Sequence, residues 1–277
     1  MRKLDIAYWR LIYSHPAPGA WNMAVDEAIL ESAGRGEVGP TLRLYAWDPP
    51  CLSLGDAQPI SDADRAYLDL TGWQIVRRPT GGRAILHTDE LTYSVMGPAT
   101  EPRLAGSVLE SYRVLSKALI AALQSLDITT QAIAKDNTST TISNANPVCF
   151  ETPSNYEITF HDKKLIGSAQ ARRKEGILQH GSLPLHGDLT RITQALHYPD
   201  QDARKIAADR LFERAITVEG ALNHKISWDI AAQAFVDAFE STLNLKFTLQ
   251  DLSGSEKARA EELVSIKYAN AAWTNRV

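Results

Sequence analysis

Three stretches of the sequence carry residue types able to do chemistry. The first, residues 77–87, reads RRPTGGRAILH. Adjacent glycines after a strand let the backbone approach a ligand closely, and Arg78, Arg83 and His87 add cationic or switchable donors. The plain alternative is a glycine turn with solvated arginines. Neither a Walker loop nor a dinucleotide fingerprint is present, because the glycines are adjacent and no GlyLysSer or GlyLysThr follows. The second stretch is PVCFETPSNYE, where Cys149 follows a polar segment and sits among residues that form no apolar stripe. A thiol there reads either as a small inert core residue or as one placed to meet a substrate. Cys51, inside the apolar run CLSLG, reads instead as an inert core residue. The third is KLIGSAQ, in which Lys164 is followed by Gly167 and Ser168, again permitting close approach of backbone to ligand. The run 163–174 holds Lys163, Lys164, Arg172, Arg173 and Lys174 and no acid. It reads either as a solvated hairpin face or as a docking patch for an acidic partner, with Lys164 turned inward.

A cysteine nucleophile needs activation, since an ordinary thiol with a pKa of about 8.5 is only a few per cent thiolate at neutral pH. A nearby lysine supplies this either as an ammonium that stabilises the thiolate or as a desolvated amine acting as general base. Both roles remain open for Lys164. Backbone N–H groups near Gly81, Gly82 and Gly167 are candidate donors to an oxyanion.

These residues need a scaffold. Trp9 to Tyr13 predicts a strand, and Ala20 to Ala33 a helix with Trp21, Ala24, Val25, Ala28 and Ile29 at helical spacing. Thr41 to Trp47 and Cys51 to Gly55 read as strands separated by ProPro. Ile60 to Leu70 reads as a helix capped by Ser61 and stopped by Gly72, before a strand Trp73 to Arg77. Leu91 to Met96 follows as a strand and Leu104 to Leu126 as the longest helix. Residues 135–147 read as a surface loop, eight of the thirteen being Ser, Thr or Asn. Tyr156 to Phe160, Lys164 to Arg172 and Ile177 to Leu185 predict three strands joined by tight turns. Beyond Asp188 almost everything reads as helical. Strands and helices mix without a steady βαβ period, so the expected class is α+β, with a mixed, largely antiparallel sheet flanked by helices. The expected organisation is a single domain over 1–277 with a helical extension from about 225.

Composition narrows the function. With 29 Lys and Arg against 33 Asp and Glu the formal net charge is -4, which gives no polycationic surface for nucleic acid. Two cysteines in 277 residues make neither a disulfide scaffold nor a structural zinc site, so a cytoplasmic protein without metal is expected. No signal peptide is read, since Asp5 and Arg10 interrupt the start before an apolar region of secretory length, and no membrane span, since Glu110, Arg113 and Lys117 interrupt the most apolar long stretch.

RRPTGGRAILH, CFETPSNYE, KLIGSAQARRKEGILQHGSLPL and KYANAAWTNR together resemble the biotin/lipoate A/B protein ligase family. The resemblance runs nearly end to end, from WRLIYS and NMAVDEAIL through LRLYAWDPPCLSLG to the tail. It implies that fold and an enzyme that moves an octanoyl chain from acyl carrier protein to a lysine of a lipoyl domain, typically the glycine cleavage H protein, with no cofactor. On it, Cys149 matches the nucleophile and Lys164 the active-site lysine, while Arg78, Gly81, Gly82 and His87 surround the acyl group. Three rivals share the scaffold: an ATP-dependent lipoate ligase, an amidotransferase with its cysteine elsewhere in the chain, and a non-catalytic acyl or cofactor sensor. A repressor of the biotin-ligase kind is not expected, as no N-terminal segment is set apart for a DNA-binding module.

Overall fold

In the computed structural model, residues 4–134 and 156–277 are described; the polar stretch 135–147 and Cys149 lie outside them. Strand β1 (Ala7–Tyr13), helix α1 (Gly19–Gly34) and strand β2 (Thr41–Tyr45) form a crossover unit, with β1 and β2 parallel and Arg10 opposite Thr41. Helix α1 is buried nearly all round, its polar Asn22, Asp26 and Ser32 included. It lies between the main sheet and α7 (Gly254–Leu263), and residues from Met23 to Leu30 share an apolar cluster with Leu263 and Tyr268.

Strand β3 (Cys51–Leu54) begins a second, smaller sheet with β4 (Gln74–Arg77) and β5 (Ile85–His87), in the order β4–β3–β5. Between β3 and β4 the chain forms a 3-10 turn (Ile60–Asp62) and then helix α2 (Arg65–Thr71). The cap of α2 is Asp64, which accepts from the Tyr67 backbone N–H, rather than Ser61. Extended backbone at Ala63 separates the two turns, so the apolar spacing from Ile60 does not belong to one helix. Gly72 ends α2 at φ 70°, as its position predicts.

Strands β6 (Glu90–Gly97), β7 (Gln131–Ala134), β8 (Tyr156–Phe160), β9 (Lys163–Arg173) and β10 (Gly176–Pro184) pair antiparallel. With β11 (Leu245–Leu249) they complete an eight-stranded sheet in the order β11–β1–β2–β6–β10–β9–β8–β7. Only the pairs formed by β1 are parallel, so this sheet is mixed and largely antiparallel. Helix α3 (Val108–Ser125) starts later than apolar spacing from Leu104 suggests. Gly106 (φ 85°) turns the chain, and Ser107 and Glu110 exchange side-chain and backbone bonds in a capping box.

Helices α4 (Gln201–Arg214), α5 (Val218–Leu222), α6 (Trp228–Leu243) and, after the π turn Val264–Tyr268, α8 (Ala271–Thr274) bear out the helical reading of the last third. The exception is β11, which adds to the sheet edge beside β1. Its LKFTL buries one residue, Leu245, and an edge strand with so little alternation is hard to separate from a helix end. Helices α3 and α6 pack one face of the main sheet through Leu115, Leu119, Phe235 and Phe239. Burying such side chains contributes about 1.5–3 kcal/mol each and makes this the principal core. No helix among the described residues is long and apolar enough to cross a membrane.

Candidate active site

The site lies where the small sheet meets β6, β9 and β10. Burial there is not simply apolar: strand period places Leu52 and Leu54 in the core of the small sheet and sends Ser53 the other way, toward His87. A cavity of about 120 Å³ is lined by Trp47, Ser53, Arg78, Gly82 and His87 on one side and by Lys164, Gly167, Ser168 and His180 on the other. Thus six of the predicted positions line one space: Arg78, Gly82, His87, Lys164, Gly167 and Ser168. Gly81 stays outside the lining and is exposed. Cys149 is outside the described residues.

The glycine segment is held by its own arginine. Arg78, only 3% exposed, donates to the backbone carbonyls of Ser53 (3.0 Å), Gly81 (2.9 Å) and Arg83 (2.8 Å). Its guanidinium therefore shapes the loop as well as lining the cavity. Gly82 adopts φ 96°, open to glycine at little cost, and its carbonyl packs against Gly55 so closely that a Cβ on Gly55 would stand 1.9 Å away. Close backbone approach is thus real here, made by the partner glycine as well as by the pair in the motif.

Lys164 enters from β9 and is 4% exposed; its carbonyl accepts from the Ile216 N–H. Ser168, two pleats on, shares a hydrogen bond of 2.7 Å with Tyr93 Oη, which also accepts from Gln179. Burial pushes the Tyr93 phenol up to about 12, so it remains a neutral anchor. The rest of the basic run is used within the fold. Arg172 donates to the Leu104 and Ser107 carbonyls, Arg173 to Pro79 and Lys163 to Phe212, while Lys174 extends into solvent.

Two carboxylate–imidazole–hydroxyl chains reach the cavity wall, and sequence reading named one member of them, His87. In the first, His87 Nδ1 lies 2.7 Å from Glu90 Oε1 and Nε2 lies 2.8 Å from Ser53 Oγ. Trp47 stacks on the imidazole at 3.9 Å and 10° and donates its indole N–H to Thr92. Thr92 and Ser182 hydroxyls donate in turn to Glu90. Burial opposes ionisation of Glu90, but His87 and these hydrogen bonds outweigh it and hold the carboxyl below its usual range. In the second, Asp26 Oδ2 faces His180 Nδ1 at 3.6 Å and His180 Nε2 meets Thr80 Oγ1 at 2.7 Å, tying the glycine segment to β10. The missed signals are polar residues inside apolar runs: Ser53 in CLSLG, Asp26 in NMAVDEAIL, and His180 in a strand otherwise read for register. Cys51, fully buried, has its thiol pushed up by burial and by Glu90, in keeping with an inert core residue.

Burial lowers the affinity of His180 for a proton below its ordinary 6.5, with Asp26 opposing the shift. The unfolded chain then binds the proton more readily than the folded one. Stability is full above about pH 6.5 and is lost as pH falls below it. The urea midpoint is expected to drop between pH 8 and pH 5.5, and His180→Gln should flatten that drop. Asp26 and Glu90, both lowered, add a second loss below the ordinary carboxylate range.

Among the described residues no cluster of three His, Cys, Asp or Glu side chains is placed to hold a metal ion. The mixed sheet and its helical layers are those of a lipoyl protein ligase A/B catalytic domain. That family's model matches residues 18–240, and the chain belongs to the family. Two relatives called octanoyltransferase LipM are similar over nearly their whole length. The protein of Brevibacillus brevis is 38% identical, covering 97% of this chain and 99% of its own. That of Symbiobacterium thermophilum is 39% identical, covering 97% and 98%. Among solved structures, the bipartite lipoate protein ligase of Thermoplasma acidophilum, described with its E2 lipoyl domain, is similar with TM-score 0.81 and 25% identity, over 97% of this chain and 96% of that one.

Proposed function

We propose that this chain is an octanoyltransferase of protein lipoylation, carrying octanoyl from acyl carrier protein to the lysine of a lipoyl domain such as the glycine cleavage H protein. The observation that carries this reading is likeness to octanoyltransferases over 97% of the chain. The cavity supports it: Met23, Tyr45, Trp47 and Ile85 give it an apolar wall beside its polar and charged groups. Burying acyl methylenes against such walls contributes about 0.8 kcal/mol each and makes chain length a selectable property.

In this reading Cys149 takes the acyl group first. Its sulfur attacks the carrier thioester and the carrier thiol leaves, one thioester replacing another, so no ATP is required. The acceptor amine then replaces the thioester by a more stable amide, which draws the sequence forward. Lys164 and backbone N–H groups near Gly82 and Gly167 stabilise the oxyanion of each step. The cytosol, where carrier and acceptor meet and thiols stay reduced, is the proposed compartment.

Intact-mass measurement after mixing with octanoyl-loaded carrier protein tests the reading. One octanoyl group should appear on the protein, map to Cys149, be released by hydroxylamine and disappear when a lipoyl domain is added. If octanoylation of the lipoyl domain proceeds only from free octanoate with ATP, the chain is a ligase instead.

A further inference from the structure

We propose that Glu90, His87 and Ser53 form the proton acceptor for the incoming lysine, a role that rests on the octanoyl-transfer reading above. An acceptor amine with a pKa of about 10.4 is almost entirely ammonium at neutral pH and cannot attack until it loses a proton. The cavity holds a chain of groups suited to take it. A carboxylate can only accept, so the 2.7 Å contact to Glu90 places a proton on His87 Nδ1. In the neutral ring Nε2 is then the acceptor for the Ser53 hydroxyl at 2.8 Å. Arg78 Nη1 donates to the same Ser53 oxygen at 3.2 Å, which occupies one lone pair and leaves the O–H to His87. Trp47 stacked on the ring and the Thr92 and Ser182 hydroxyls on Glu90 fix the two partners in this alignment. Ser53 and His87 both line the cavity, whereas Glu90 acts through His87 and is a positioning residue.

The ammonium gives a proton to Ser53 Oγ as the Ser53 proton passes to His87 Nε2, and the resulting imidazolium is stabilised by the Glu90 carboxylate. The free amine attacks the thioester carbonyl, the C–S bond breaks, and the second amine proton leaves with the thiol. His87 returns its proton to solvent. The charged and titratable groups around the imidazole are Glu90 from the start of β6, Cys51 opposite it on β3, Arg78 and Arg83 from the glycine segment, Lys164 from β9 and His180 from β10. Lys164 is thereby left to the oxyanion and the thiol, and the base for the amine is separate from it.

The test is a chase of preformed octanoyl-enzyme with a lipoyl domain at several pH values, in wild type, Glu90→Gln, His87→Gln and Ser53→Ala. The variants are expected to transfer at least about tenfold more slowly at pH 7. The gap should close to within about threefold near pH 9.5, where more of the amine is free without help. A deficit of the same size at every pH marks a purely structural role and overturns the relay alone. Two of the three variants behaving like wild type at pH 7 would do the same. Failure of wild type to form any octanoyl-enzyme overturns the octanoyl-transfer reading and this assignment with it.

Discussion

Lys164→Met is expected to lower octanoyl transfer by about 10²–10³-fold while leaving the protein folded. The side chain is buried in the wall of the cavity with Gly167 and Ser168 on the same strand, so its charge acts away from bulk water, where a fixed cation is worth most. Methionine keeps the unbranched stem and its packing and removes the charge, which makes the loss one of chemistry rather than of shape. Lys164→Arg is no rescue: a planar guanidinium is larger and presents its donors in a fixed fork rather than as a compact ammonium. The measurements are initial rates with octanoyl carrier protein and a lipoyl domain, with a thermal melt of each variant alongside. Transfer by Lys164→Met above about a tenth of wild type would remove Lys164 from the mechanism.

Much of this site was readable from spacing because glycine and charge leave strong local marks. RRPTGGRAILH and KLIGSAQ each delivered the residues that now face one another, although nothing in either run states that β9 crosses the mouth of the small sheet. Ser53 and Glu90 were not readable for a different reason. Ser53 differs from Leu52 and Leu54 only by strand phase, and its partner His87 lies on β5, a three-residue strand too short to show a period. Glu90 resembles any acid at the start of a strand until the fold brings Ser182 to it from β10. On the scale of the fold, the α+β class and the antiparallel run through β8, β9 and β10 follow from alternation and tight turns. The parallel edge β11–β1 does not, because it joins segments over 230 residues apart, a pairing that no local pattern records.

Asp26→Ala is expected to cost about 3–5 kcal/mol of folding stability, the largest loss from any single truncation proposed here. Asp26 is fully buried on α1 and accepts from Arg43 Nη1 at 2.8 Å, Ser94 Oγ at 2.8 Å and Tyr45 Oη at 3.1 Å. Burial works against its charge, yet Arg43 and the contact with His180 win and keep the carboxyl below its ordinary range. Removing it strands a guanidinium that has no exposed surface, with Asn22 left as its side-chain partner on α1. Against a total stability of about 5–15 kcal/mol this is a large share. Urea denaturation of Asp26→Ala, Arg43→Met and the double variant reads the interaction directly. The double variant should recover part of the single-variant loss, because an apolar pair avoids the uncompensated charge. The same substitution frees His180, and through Thr80 the glycine segment, so any folded Asp26→Ala protein should show a raised KM for the acyl donor. Additive losses in the double variant, with KM unchanged, would mean that Asp26 and Arg43 act independently and that the segment is held by Arg78 alone.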